Sequence, residues 1–151
     1  MKQIARLGEL STLPPSLIIL DIDHFKKIND GFGHDVGDFI LKECVRLLHE
    51  VFDRDTDFVA RIGGEEFAIV LPDHPIELAA KRGHDALERI RREVFVQNNK
   101  ELRFTISLGI SQLNKGESVS NWIKRADTAL YESKNTGRNK LTLSGKSNVA
   151  A

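Results

Sequence analysis

The chain has 151 residues, 40% of them apolar and 29% charged, which suits a single globular domain able to bury a core. Its 22 Lys and Arg balance 22 Asp and Glu, so no bulk charge draws it to nucleic acid or to an anionic membrane. One cysteine excludes an internal disulfide, no run reaches the roughly 20 apolar residues of a bilayer span, and the N-terminus has no signal-like apolar core, so a reducing, cytoplasmic setting is expected.

Lys2 to Leu10 reads as weakly helical and Pro14–Pro15 ends it, so residues 1–16 form a helical or linker segment. LIILDID, Leu17 to Asp23, is a short apolar run ending in acids, the pattern of a buried strand. HFKKIND follows as a turn or short helix, and Gly31 and Gly33 break the chain. From Asp35 the apolar residues Val36, Phe39, Ile40, Cys44, Leu47, Leu48 and Val51 recur at helical spacing, which gives Cys44 a packing role. DRDTD then leads into FVARI, Gly63–Gly64, Glu65–Glu66 and FAIVL, two apolar runs around a glycine pair, as in a β-hairpin.

Helical spacing returns after Pro75, with Ala79, Gly83, Leu87, Ile90 and Val94 on one face. In LRFTISLGI, Leu102, Phe104, Ile106, Leu108 and Ile110 alternate strictly, predicting a half-buried strand. Val119, Trp122, Ile123, Ala126 and Leu130 mark a last helix closed by Gly137, and NKLTL reads as a short strand. The tail from residue 144 to 151 buries nothing and is expected to be disordered. The class is α+β, or mixed α/β, in one domain.

Three groups of residues carry candidate chemistry. Asp21 ends an apolar strand, and Glu65–Glu66 sit at the tip of an apolar hairpin. If these elements are neighbours in one sheet, carboxylates converge at its edge, and hard oxygen ligands without His or Cys suit Mg²⁺ or Mn²⁺. Solvated acids at strand ends are the ordinary alternative. Gly63 and Gly64 allow a reversal with positive φ, and they also leave the backbone bare for a flat ring or a phosphate. Lys26, Lys27, Lys134 and Arg138 are each explicable as solvated or helix-terminal cations, but together with the acids they suit a polyphosphate and its metal. Asn29 and Asp38 add polar groups able to read a base edge.

As a set, DIDHFKKIND, FGHDVGD, RIGGEEFAIVLP, ISLGIS and RADTALYESKNTGRN resemble the GGDEF domain of diguanylate cyclases, in order from about Leu17 to Leu143. The resemblance implies a central, mainly antiparallel sheet flanked by helices, similar to the palm of nucleotidyl cyclases and polymerases. It implies a transferase of bacterial second-messenger signalling that condenses two GTP into cyclic di-GMP with release of pyrophosphate, using Mg²⁺ or Mn²⁺, two ions per site. By the same resemblance Asp21, the carbonyl of Ile22, Glu65 and Glu66 hold metal, with Glu65 helping to deprotonate the 3′-hydroxyl. Gly63 and Gly64 let GTP lie against the turn, Asn29 and Asp38 recognise guanine, and Phe25 and Leu41 line the base pocket. Lys26, Lys134 and Arg138 contact phosphates, and His34 lies in a matching block with no role assigned.

The resemblance further implies catalysis between two facing copies, inside a longer sensory protein, without nucleic-acid or membrane contact. Arg54 and Asp57 match an inhibitory product-binding Arg-x-x-Asp, and Arg89 matches a secondary contact to it. GGEEF stands where GGDEF is usual and keeps the carboxylate one methylene further out. MKQIARLGELSTLPPS replaces the family's Thr-Gly-Leu-x-Asn-Arg-like segment. A module that binds GTP or cyclic di-GMP without turnover is the alternative. A purely structural interaction domain would need none of these residues in register.

Overall fold

In the computed structural model, which describes Ile4 and residues 13–145, strand β1 (Ser16–Ile22) is buried along its whole length. A strand with no polar face needs neighbours at both edges and cover on both sides. It pairs antiparallel with β3 (Glu66–Leu71) at one edge and with β6 (Ile106–Gln112) at the other. Outside β3 lies β2 (Phe58–Arg61), its hairpin partner, and outside β6 lies β7 (Leu141–Leu143), the single parallel neighbour. The five-stranded order β2-β3-β1-β6-β7 is thus mainly antiparallel, as expected.

Helix α1 (Phe25–Phe32) leads directly into α2 (His34–Val51), and α2 with α3 (Ile76–Arg92) covers one face of the sheet. There Ile18, Leu20 and Ile22 of β1 meet Ile40, Cys44, Leu47 and Leu48 of α2 and Ala86, Leu87 and Ile90 of α3. Helix α4 (Val119–Asn135) covers the other face, where Leu17, Ile19, Ala68 and Val70 pack on Trp122, Ala126 and Leu130. Each large side chain buried this way contributes about 1.5–3 kcal/mol.

The alternation in ISLGIS has a different cause from the one expected. β6 is buried on both faces up to Gln112, not half-buried. Its alternate residues Gly109 and Ser111 are small because the α4 backbone descends onto them, while Ser107 gives its hydroxyl to Asp23. A Cβ at Gly109 would lie 2.2 Å from both the Ala126 carbonyl oxygen and the Leu130 nitrogen. The expected single strand also divides, for Lys100–Leu102 pairs instead with Phe95–Gln97 in a separate hairpin, β4–β5. Its two-residue turn, Asn98–Asn99, has φ of 54° and 62°, which asparagine tolerates and tight hairpins require. Val94 falls beyond α3 and is exposed, and Gly31 continues α1, so only Gly33, at φ 98°, breaks the chain there. The expected N-terminal helix, apart from Ile4, and the tail from residue 146 lie outside the described residues. Among the described residues no helix is long and apolar enough to cross a membrane.

Candidate functional site

Antiparallel register places Asp21 directly opposite Glu66. Both side chains fall on the α4 face, in the alternation that sends Leu17, Ile19, Ala68 and Val70 there. α4 brings Lys134 to the same end of the sheet, in its last turn. The Lys134 ammonium donates to one carboxylate oxygen of Asp21, while the other oxygen, Oδ1, is buried without a hydrogen-bond partner. Burial, the Asp21 charge and then the Asp127 charge push the Glu66 carboxyl up to about 7, with Lys134 pulling it back. Asp127, two helical turns before Lys134, is raised by burial and by Asp21. Three acids therefore compete for one ammonium.

This imbalance favours an added cation. Among the described residues no group of three His, Cys, Asp or Glu forms a ready metal cage. One or two carboxylates with an unfilled oxygen are nevertheless the donor set that suits a hard divalent ion whose remaining ligands are water and substrate phosphates. The residues present fit such an ion.

The hairpin tip is pinned on both sides. The Ile22 amide donates to the Glu65 carbonyl at 3.2 Å, the Glu66 carbonyl accepts from Ile62 at 2.9 Å, and Arg61 Nε donates to the Gly63 and Gly64 carbonyls at 3.2 and 2.9 Å. Contrary to the positive-φ expectation, neither Gly63 nor Gly64 lies in the left-handed region. A Cβ at Gly64 would meet nothing within 4 Å, and one at Gly63 only the Glu66 Cβ at 3.6 Å. Neither turn conformation nor internal packing therefore demands glycine at these positions. The Glu65 side chain lies half-buried beside the turn.

Across the sheet end, α1 and α2 bring the base-reading candidates together. The Asn29 side chain occupies the space above Gly37, where a Cβ would come within 1.7 Å of its Oδ1, and Asp38 follows in sequence, exposed. Gly37 escaped the sequence reading, although a glycine inside a helix is itself a signal of close approach. Phe25 packs partly buried against the core, Leu41 is buried, and Lys26 and His34 are exposed in the first turns of α1 and α2. Arg138 sits on the loop after α4, its guanidinium 4.0 Å from Asp23, another residue not singled out from sequence.

The Arg54–Asp57 pair lies away from these acids. The Asp57 side chain is fully buried and takes both ends of the Arg82 guanidinium, at 2.9 and 2.6 Å, as well as the Arg54 amide at 3.1 Å. Arg82 also lies over the Phe52 ring and, with Arg54, faces His74 Nε2. Arg89 pairs with Glu93 and Glu50.

Comparison with known proteins matches residues 2–140 to the family described as diguanylate cyclase, GGDEF domain. Diguanylate cyclase A of Treponema denticola is 41% identical over 85% of this chain and 35% of its own length. The diguanylate cyclase DgcP of Pseudomonas aeruginosa is 42% identical over 83% of this chain and 18% of its own length. The chain thus spans about a third or less of these curated relatives. Among solved structures, the active GGEEF domain of a diguanylate cyclase from Vibrio cholerae is 35% identical, covers 95% of this chain and 90% of its own, and superposes with a TM-score of 0.83. The GGDEF domain of DgcB from Caulobacter crescentus, solved in complex with c-di-GMP, is 33% identical over 94% of this chain and 81% of its own, with a TM-score of 0.86.

Proposed function

This chain belongs to the diguanylate cyclase GGDEF domain family, and on that premise we propose that it condenses two GTP into cyclic di-GMP with release of pyrophosphate. The observation that carries the proposal is the convergence of Asp21, Glu66 and Lys134 beside a turn whose two glycines serve no need of the fold itself. The catalytic domain is taken as residues 17–143.

Asp21, the Ile22 carbonyl, Glu65 and Glu66 would hold the divalent ions, two Mg²⁺ or Mn²⁺ per site. When bound, these lower the pKa of the attacking 3′-hydroxyl and spread the charge growing at the α-phosphorus. Glu65 takes the hydroxyl proton from its place beside the turn. Gly63 and Gly64 let the nucleotide lie against bare backbone. Lys26, Lys134 and Arg138 neutralise the triphosphate and the departing pyrophosphate, with Lys134 exchanging Asp21 for a phosphate oxygen. The Asn29 carboxamide oxygen and the Asp38 carboxylate accept from guanine N1–H and N2–H₂, donors that adenine does not present together. Phe25 and Leu41 supply the apolar side of the base pocket, and His34 stands at its rim.

One site holds one GTP, so catalysis needs two copies facing each other about a two-fold axis, and proximity supplies much of the acceleration. The dimerising and sensing elements belong, in this proposal, to other segments of a longer cytoplasmic protein. Product inhibition through Arg54 and Asp57, with Arg89 as an outer contact, forms the remaining part. Because Arg82 already fills the Asp57 oxygens, the exposed Arg54 guanidinium makes the first contact, and Asp57 joins only if Arg82 gives way. The DgcB complex with c-di-GMP supports a product site on this fold.

The test is incubation of concentrated protein with GTP and Mg²⁺, reading cyclic di-GMP and pyrophosphate by chromatography, with Glu65→Ala beside it. Product from the wild type alone, rising faster than linearly with protein, is the expected result. If two copies joined through a dimerising coiled coil still bind GTP and form no product, the chain is a binding module instead.

A further inference from the structure

The loop that carries Arg138 needs outside support. Gly137, Arg138 and Asn139 have φ of 119°, 63° and 53°, three successive residues in the left-handed region. Glycine adopts it freely and asparagine tolerates it, but an arginine stays there only where its surroundings hold it.

Beside the local bond from the Arg138 amide to the Ser133 carbonyl at 2.9 Å, two distant side chains provide that hold, and both act on Asn139. Asp23, just past the end of β1 with its side chain 1% exposed, accepts the Asn139 amide at 3.0 Å. Arg91, in the last turn of α3, donates Nε to Asn139 Oδ1 at 3.1 Å and Nη2 to the Asn139 carbonyl at 3.3 Å. Asn139 is thereby gripped at its amide, side chain and carbonyl at once. The grips are themselves anchored. Asp23 also accepts from Thr105 Oγ1 and Ser107 Oγ, both at 2.6 Å, and Arg91 pairs with Glu88. The two acids of the DID run therefore differ in kind. Asp21 keeps a buried oxygen free, whereas the Asp23 oxygens accept three donors and lie against Arg138.

We propose that Asp23 and Arg91 are positioning residues, which clamp Asn139 so that the preceding Arg138 faces the nucleotide phosphates. This rests on the reading of Arg138 as a phosphate contact. Removing the clamp frees the loop to leave its left-handed conformation, and Arg138 then meets the phosphates in only a fraction of the molecules. A group that works through another has no separate effect once that other is gone.

The experiment is calorimetric titration of 3′-deoxy-GTP with Mg²⁺, a nucleotide unable to react, into wild type, Arg91→Met, Arg138→Ala and the double variant. GMP is titrated as a probe without the outer phosphates. Arg91 is 38% exposed, so its loss leaves the core intact, and thermal melts check this. The expected result is on the order of tenfold weaker 3′-deoxy-GTP binding by Arg91→Met, unchanged GMP binding, and a double variant no weaker than Arg138→Ala. Full-strength 3′-deoxy-GTP binding by Arg91→Met while Arg138→Ala is weakened overturns the clamp, as does simple additivity in the double variant. No weakening in Arg138→Ala itself removes the phosphate reading and the clamp with it. Asp23→Asn, where it folds, is expected to lose 3′-deoxy-GTP as Arg91→Met does and to keep its Mn²⁺ binding, which a metal ligand would lose.

Discussion

Lys134 reaches across 113 residues of sequence to donate to one oxygen of Asp21, and the second oxygen of the same carboxylate is buried with no partner. The ammonium stands in a place that a divalent ion would claim, so the two compete in the nucleotide-free protein. Lys134→Met is expected to bind Mn²⁺ roughly tenfold more tightly than the wild type, as the loss of a partly screened cation requires. Asp21→Asn is expected to lose that binding. Titration with MnCl₂ in the absence of GTP measures both, and equal affinities in wild type and Lys134→Met would show that lysine and ion occupy different places.

The Asp57–Arg82 pair predicts behaviour in acid. Burial raises the Asp57 carboxyl, but the Arg82 and Arg54 donors and the two arginine charges outweigh it, leaving the group below its ordinary value. An acid that ionises more readily folded than unfolded adds stability above its unfolded pKa and loses it as pH falls through the folded value. Asp57→Asn is therefore expected to be about 3 kcal/mol less stable at pH 7, because Arg82 keeps its charge without a counter-charge. That gap should begin to narrow as pH drops below about 4, where the unfolded chain starts to take up the proton, and close only as pH falls through the lower folded value. Urea melts between pH 3 and 7 provide the comparison, and a gap independent of pH would be against it.

Gly109 and Gly64 separate glycine kept for packing from glycine kept for access. Gly109→Ala drives a methyl into the α4 backbone, which cannot rotate aside, and a loss of about 3 kcal/mol or more is expected. Gly64→Ala puts a methyl into open space at an ordinary φ, so stability should stay within about 0.5 kcal/mol while GTP binding falls. Thermal melts and GTP titration on the two variants form the test, and normal GTP binding by Gly64→Ala would deny the turn its role.

Gly37 sets the place of Asn29. Gly37→Ala leaves the helix intact, since the clash falls on the free end of one side chain, but it displaces the Asn29 carboxamide. Discrimination between GTP and ATP is expected to fall by roughly tenfold, the scale of one lost hydrogen bond to the base, with little change in melting temperature. Competition binding with the two nucleotides reads the ratio directly.

How much of this was legible in sequence depended on the range of the interaction. The acids at the end of LIILDID, the glycine–glutamate tip of the hairpin and the periodic faces of the long helices follow from short patterns, because period and turn chemistry are properties of neighbours along the chain. The five blocks in order carry the family's pattern in residue types and spacing alone. Even locally the reading had gaps. Asn98–Asn99 is a hairpin signal that the strict alternation of the next segment obscured, and polar Ser107 and Ser111 suggested a solvent face where a helix lies instead.

What only the tertiary structure decided were the pairings between distant residues: Asp21 against Glu66, Lys134 on Asp21, Arg82 on Asp57, and Asp23 with Arg91 on Asn139. By itself the sequence determined which elements form, which residue types stand at their ends and which family they compose. Register and partner choice depend on how whole faces pack, since a strand shifted by one residue would send Asp21 to the opposite face of the sheet. Each partner choice sums over many distant contacts, and no short stretch of the chain contains that sum.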